Sequence, residues 1–192
     1  MKIYTIIGGV NGTGKSSLTG AIKAERSDLG IIIDVDKMAA SLAGNNLEAG
    51  RAAVNKINDC IERGVSFTQE TTLAGVRTKN TIQKAKDSGY HIRLYYIGLN
   101  TAEESLRRIR NRVEKGGHDI PQEDVLSRFK SRFESLAKIL PYCDEATLFD
   151  NENGFVEVAE FRNGELITKG EHKPLWLVAL IDMMERDGED KK

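Results

Sequence analysis

Gly9, Gly14, Lys15 and Ser16 fall in the pattern G-x-x-x-x-G-K-[ST] within the stretch GGVNGTGKSS, and the chemistry this spacing supports is the grip of a polyphosphate. Glycines let the backbone wrap an anion closely, because without a Cβ they reach conformations that other residues avoid. The run Gly9, Asn11, Gly12, Thr13, Gly14 then offers consecutive N–H groups, with Lys15, Ser16 and Ser17 at the positive end of the helix that follows. In such a loop the lysine bridges the β- and γ-phosphates and the hydroxyl after it ligates Mg²⁺, which assigns those roles to Lys15 and Ser16.

Carboxylates form the second group able to do chemistry. Asp34 and Asp36 close the β-branched run GIIIDV, and Glu70 closes VSFTQE just before Thr71 and Thr72. Open α/β sheets place their chemistry at the C-terminal ends of their strands, where these residues would stand. Residues two apart in a strand share a side, so Asp34 and Asp36 could face one cleft; alternatively Asp34 caps the next helix. Asp36 is the better placed of the two for catalysis. The third group is basic: Arg107, Arg108, Arg110 and Arg112, then the turn GGHDIP, then Arg128 and Arg132. Such a run is a solvated helix face or, with its glycine hinge, a lid whose guanidinium groups close on phosphoryl oxygens. His118 in the hinge would touch a phosphate or hold the hinge itself.

The elements that must carry these groups follow from periodicity. KIYTII (2–7) predicts a short buried strand and 16–26 a helix, the setting a phosphate loop requires. A second strand spans 30–35, and Leu47, Val54, Ile57 and Ile61 predict an amphipathic helix over 46–63. A third strand covers 65–70, a short helix 78–88 and a fourth strand 91–99. Thr101 and Glu104 make a capping box opening a helix with Leu106, Ile109 and Val113 on one face. After the hinge a second helix carries Val125, Phe129, Phe133 and Leu136, so the lid spans about 101–140. A fifth strand, EATLF (145–149), ends at Asp150 and Asn151. A hairpin over 155–168 turns at Asn163-Gly164, and a last helix docks by Trp176, Leu177, Leu180 and Ile181. The prediction is a single α/β domain over 1–192. It has a five-stranded, mainly parallel sheet flanked by helices, an arginine-bearing lid, and a C-terminal hairpin plus helix at about 155–186.

Composition sets limits. With a formal net charge of -1 there is no global attraction to nucleic acid or anionic membrane. No apolar run approaches the roughly 20 residues that span a bilayer, and the N-terminus is not a signal peptide, so the cytoplasm is the expected compartment. Cys60 and Cys143 fit no metal spacing and read as reduced thiols.

Taken together, GGVNGTGKSS, IIDVD, QETTLAG, RIRNRVEKGGHDIPQEDVLSRF and the DN pair at 150–151 resemble the zeta-toxin-like P-loop kinases, in particular the bacterial branch labelled predicted ABC-type ATPases. ETTLAG with RV-x-x-GGH-x-IP is the distinctive part. The resemblance implies an ATP-dependent kinase that moves the γ-phosphate to a hydroxyl of a sugar nucleotide. In the family's toxins that substrate is UDP-N-acetylglucosamine. It implies that Lys15 and Ser16 hold ATP and Mg²⁺, with Asn151 beside the nucleotide, and that Asp36 is the base on the acceptor hydroxyl. Glu70 helps to place the substrate beside Asp34, Thr71, Thr72 and His118, while Arg112 and Arg128 neutralise the transferred phosphoryl group. An antitoxin protein is the partner that such a kinase would have. The branch commonly has Asn where Asp34 stands, and the GGHDIP lid is not the lid of the toxins whose glycan substrate is established.

Two other classes use the same loop: an ATPase coupling hydrolysis to conformational change, and a nucleotide-dependent switch without an acceptor. The fourth strand ends in YYIGLN, without the Asp-Glu pair of an ABC-type ATPase, and no LSGG-like signature is present.

Overall fold

A computed structural model describes residues 1–35, 37, 38 and 46–189. Asp36, predicted as the base, lies outside the described residues. The central strand is β1 (Ile3–Gly8), buried along its whole length. On one side it pairs in parallel with β3 (Phe67–Thr71), which in turn pairs with β2 (Ile31–Asp34). On the other side lies β4 (His91–Gly98), then β5 (Glu145–Asp150), also parallel. The predicted hairpin, β6 (Val156–Arg162) and β7 (Glu165–Thr168), continues this sheet antiparallel to β5, so the sheet has seven strands in the order β2-β3-β1-β4-β5-β6-β7, not five.

Register decides where the carboxylates stand. Asp34 pairs with Glu70, and Glu70 with Ile7, so both acids are level with the last turn of backbone before the phosphate loop. Neighbouring parallel strands in register point their side chains to the same face, which brings the two acids together.

Helices cover both faces. On one, α1 (Lys15–Glu25) sets Leu18 and Ile22 against Ile7, Leu29 and Ile97. On the other, α2 (Asn46–Arg63) and α3 (Arg77–Asp87) pack Ala53, Ile57, Ile61 and Ile82 against Tyr4, Ile33 and Phe67. In α2 the packed stripe differs from the predicted one: Ala49, Ala53, Ile57, Cys60 and Ile61 are buried, whereas Leu47 is 74% and Val54 42% exposed. Alanines hold the helix close to the sheet, and that rotates the larger residues 47 and 54 outward.

The segment predicted as a lid forms α4 (Ala102–Glu114), followed by α5 (Gln122–Lys130) and α6 (Arg132–Ala137). Thr101 Oγ1 accepts from Glu104 N, one half of the predicted capping box, while the Glu104 carboxylate bonds Arg107 and Arg108 instead of Thr101 N. The single helix expected after the hinge is broken at Ser131. Arg132, expected on a polar face, has its guanidinium 3.7 Å from the Phe129 ring centre and 4.0 Å from that of Phe133. The last helix, α7 (Leu175–Glu189), buries Trp176, Leu177 and Leu180. Cys60 and Cys143 are free and buried, and burial pushes the Cys143 thiol up to about 12. Among the described residues no helix is long and apolar enough to cross a membrane.

Candidate active site

The phosphate loop leaves β1 at Gly8 and enters α1 at Lys15. Gly12 has φ 78 and Gly14 φ 95, the left-handed region that glycine occupies without strain. Space is as tight as conformation: a Cβ on Gly12 would stand 2.7 Å from Ser105 O, and one on Gly14 2.7 Å from Asn151 Nδ2. Thr13 closes the turn, its Oγ1 donating to Val10 O at 3.0 Å. The Lys15 ammonium donates to Gly9 O (2.9 Å) and Val10 O (3.1 Å), curled over the loop it belongs to.

Opposite stands a built carboxylate. Glu70 is only 6% exposed. Its Oε2 accepts from Ser16 Oγ at 2.8 Å, and its Oε1 lies 2.7 Å from Thr19 Oγ1. Thr19 is the residue one turn along α1 from Ser16, and that spacing alone could have flagged it. Asp34, 7% exposed, accepts from Lys37 N at 3.2 Å and lies 3.4 Å from Lys37 Nζ. Asp34 thus accepts the N–H three residues on, as a capping acid does, and also lines the cavity described next; whether Asp36 shares that side lies outside the described residues.

Between loop and strand ends lies a cavity of about 290 Å³. Asn11 and Lys15 line it from the loop, Asp34, Glu70, Thr71 and Thr72 from the strand ends, and Arg128 from α5. Arg77 and Thr78 at the start of α3 complete it; neither stands out in the sequence, because neither belongs to a phosphate-loop pattern. After Thr72 the chain turns through Leu73, a buried non-glycine residue at φ 62, whose N–H donates to Thr71 Oγ1 at 3.1 Å. Such a backbone costs about 1 kcal/mol or more and persists only where packing enforces it.

The helices α4 and α5 touch the loop directly. Arg128 Nη1 donates to Asn11 Oδ1 (3.0 Å) and its Nη2 to Asp124 (3.2 Å). Ser105 Oγ donates to Asn11 O at 2.5 Å, and Phe129 packs with Val10 and Leu99. Arg112 and His118 stand apart from this cavity: Arg112 Nη2 donates to His118 O at 2.6 Å, and Arg112 lines a separate groove with Arg108 and Lys115. Asn151 reaches the loop by donating to Thr13 O at 2.7 Å. Arg108, which the sequence groups only with the other arginines of its helix, donates to Asn151 O (2.6 Å) and is itself held by Glu104 (2.5 Å). Hydrogen bonding from Arg107 and Arg108 draws the Glu104 carboxyl down to about 2.

These donors suit a magnesium–nucleotide complex. The glycine cradle would be filled by any Cβ, and Ser16 hydroxyl beside Glu70 carboxylate is an all-oxygen set of the kind magnesium prefers.

The chain matches the family model described as Zeta toxin over residues 43–156, a span that begins after the phosphate loop. An uncharacterized protein of Haemophilus influenzae is 34% identical over 126 residues, covering 63% of this chain and 88% of that protein. Among solved structures, one from the PezAT chromosomal toxin–antitoxin system of Streptococcus pneumoniae superimposes with a TM-score of 0.66 at 17% identity, covering 99% of this chain and 87% of that one. The AvrRxo1-ORF1:AvrRxo1-ORF2 complex with ATP gives a TM-score of 0.68 at 19% identity, over 96% of this chain and 63% of the other. The chain belongs to the zeta toxin family.

Proposed function

We propose that the protein is an ATP-dependent kinase that transfers the γ-phosphate to a hydroxyl of a small molecule, with a sugar nucleotide as the acceptor class. The observation that carries this reading is the cavity itself, walled by Lys15 and Asn11 on one side and by strand-end Asp34 and Glu70 on the other, with Arg128 beside them. Bound Mg-ATP would supply the phosphoryl group and a cation that offsets its charge. The loop amides and Lys15 would hold the polyphosphate. Ser16 would turn its hydroxyl to the metal, while Glu70, held by Thr19, keeps a carboxylate close by.

Phosphoryl transfer proceeds through a loose transition state, so positioning and charge stabilisation dominate. Arg128, already on the loop, serves that charge; Arg112 would need to leave His118 O to join it. Asp36 takes the role of base from the family resemblance, two residues beyond the cavity-lining Asp34. Thr71 and Thr72 offer hydroxyls to an acceptor at the same wall. The whole chain, 1–192, is read as one kinase domain with its lid at about 101–140. An antitoxin partner is part of the proposal, supported by the family and by the toxin–antitoxin origin of the pneumococcal neighbour.

The test is incubation with γ-labelled ATP, Mg²⁺ and a pool of sugar nucleotides. Label on a small molecule is expected. Free phosphate alone would mean an ATPase, and binding without turnover a switch. Asp36→Asn should lower kcat with ATP binding nearly intact; full activity would remove the base assignment.

A further inference from the structure

Trp176 is the chain's one tryptophan, and it sits in the first turn of α7, remote in sequence from the phosphate loop. The indole is buried against Gly98 at the end of β4, so closely that a Cβ there would stand 2.2 Å from Cε2. A buried indole N–H needs an acceptor. Here it finds a charged one, Asp150 Oδ1, at 2.8 Å. Asp150 is itself buried at the end of β5, its Oδ2 lying 3.4 Å from both Glu152 N and His172 Nε2.

The next residue is Asn151, whose amide donates to Thr13 O in the phosphate loop and whose carbonyl accepts from Arg108. The backbone of α7 is tied to the same turn: Trp176 N donates to Asn100 Oδ1 (3.1 Å), and Asn100 N to Glu152 Oε1 (2.8 Å). Hydrogen bonds from α7 to Asp150 and, by way of Asn100, to Glu152, and from the adjoining Asn151 to Thr13, thus tie α7 to the loop through the backbone of residues 150–152.

We propose that Trp176 is a positioning residue for the nucleotide. By fixing the Asp150 carboxylate it sets the Asn151 amide on the Thr13 carbonyl, and so holds the loop in the conformation that grips phosphate. Trp176 does not line the cavity and acts only through Asn151. The inference depends on the loop binding nucleotide, as proposed above. It also makes the only indole a reporter, since Trp176 emission should change as ATP fills the loop.

The experiment measures labelled-ATP affinity by equilibrium dialysis for the wild type, Trp176→Phe, Asn151→Ala and the double variant. Phenylalanine keeps an aromatic ring against Gly98 and removes the N–H. Trp176→Phe should weaken ATP binding about fivefold, the coupling expected within one hydrogen-bond network. In the Asn151→Ala background it should cost nothing further. Unchanged affinity, or losses that simply multiply, would overturn the positioning role, because a packing defect alone is independent of Asn151. If Trp176→Phe fails to fold, Asp150→Asn leaves the indole in place and must show the same loss and the same dependence. A wild type that binds no ATP would overturn the nucleotide reading, and this inference with it.

Discussion

The two ends of the parallel sheet are built on opposite electrostatic plans. At the N-terminal end of β4 and β5, charges are matched and closed. Arg93, 6% exposed, bonds Glu145 (2.5 Å) and Asp28 (3.0 Å), Arg26 also bonds Asp28 (2.7 Å), and Lys86 approaches Asp144 (3.4 Å). Hydrogen bonding from Arg26 and Arg93 holds the Asp28 carboxyl far below its ordinary range. At the C-terminal end, Lys15, Asp34, Glu70 and Arg128 surround open space instead. One end closes its charges on one another. At the other, Arg128 also bonds Asp124 and Asp34 also meets Lys37, yet all four line a cavity, and a charged ligand entering there is what the proposed function requires.

That contrast is sharpest if each end is damaged separately. Lys15→Ala should abolish phosphoryl transfer, by 10³-fold or more on the order of magnitude seen for phosphate-clamping groups, with little change in Tm; retained turnover would dissolve the comparison. Glu70→Gln should lower kcat about 10²-fold and raise the Mg²⁺ concentration needed for half-maximal rate. A Mg²⁺ profile equal to the wild type would detach Glu70 from the metal side of the site.

Arg93→Ala is the converse experiment. It strips the centre of the closed network, and because Asp28 and Glu145 are each about a third exposed the cost is kept to about 2 kcal/mol. That is a Tm fall of roughly 6 °C, with kcat at permissive temperature unchanged. Loss of turnover without loss of Tm would break the division of labour.

Acid probes the ion pairs of α4. Glu104 has a folded value of about 2, below that of the unfolded chain, so its stabilisation is complete above about pH 4.3 and disappears as pH falls toward 2. Amide exchange in α4 should accelerate across that window before exchange in β1 does. The smallest effect is on the thiols. Burial raises both Cys60 and Cys143, so neither should label with a disulfide reagent at neutral pH while the protein stays folded.

Local signals carried much of this molecule. The strands from KIYTII to EATLF, the N-cap at Thr101 and the hairpin turn at Asn163-Gly164 each follow from short-range chemistry, and the structure has them, whereas the other half of the capping box gives way to Arg107 and Arg108. The buried stripe of α2 departs from the predicted one at Leu47 and Val54, since periodicity cannot tell alanines that approach a sheet from larger residues that point away. The break at Ser131 and the stacking of Arg132 between two phenylalanines likewise depend on what the helix meets.

By itself the sequence determined the glycine loop after β1 and the strand-end positions of Asp34 and Glu70, because each rests on residue type and on spacing within a few positions. Tertiary structure decided the company they keep. Glu70 meets Ser16 and Thr19 across about fifty residues, Arg128 reaches Asn11, and Trp176 braces the turn that holds Thr13. The physical reason is register: which strands pair, and at which residue, is set by the packing of the whole sheet, and a side chain's partners across the fold follow from that alone.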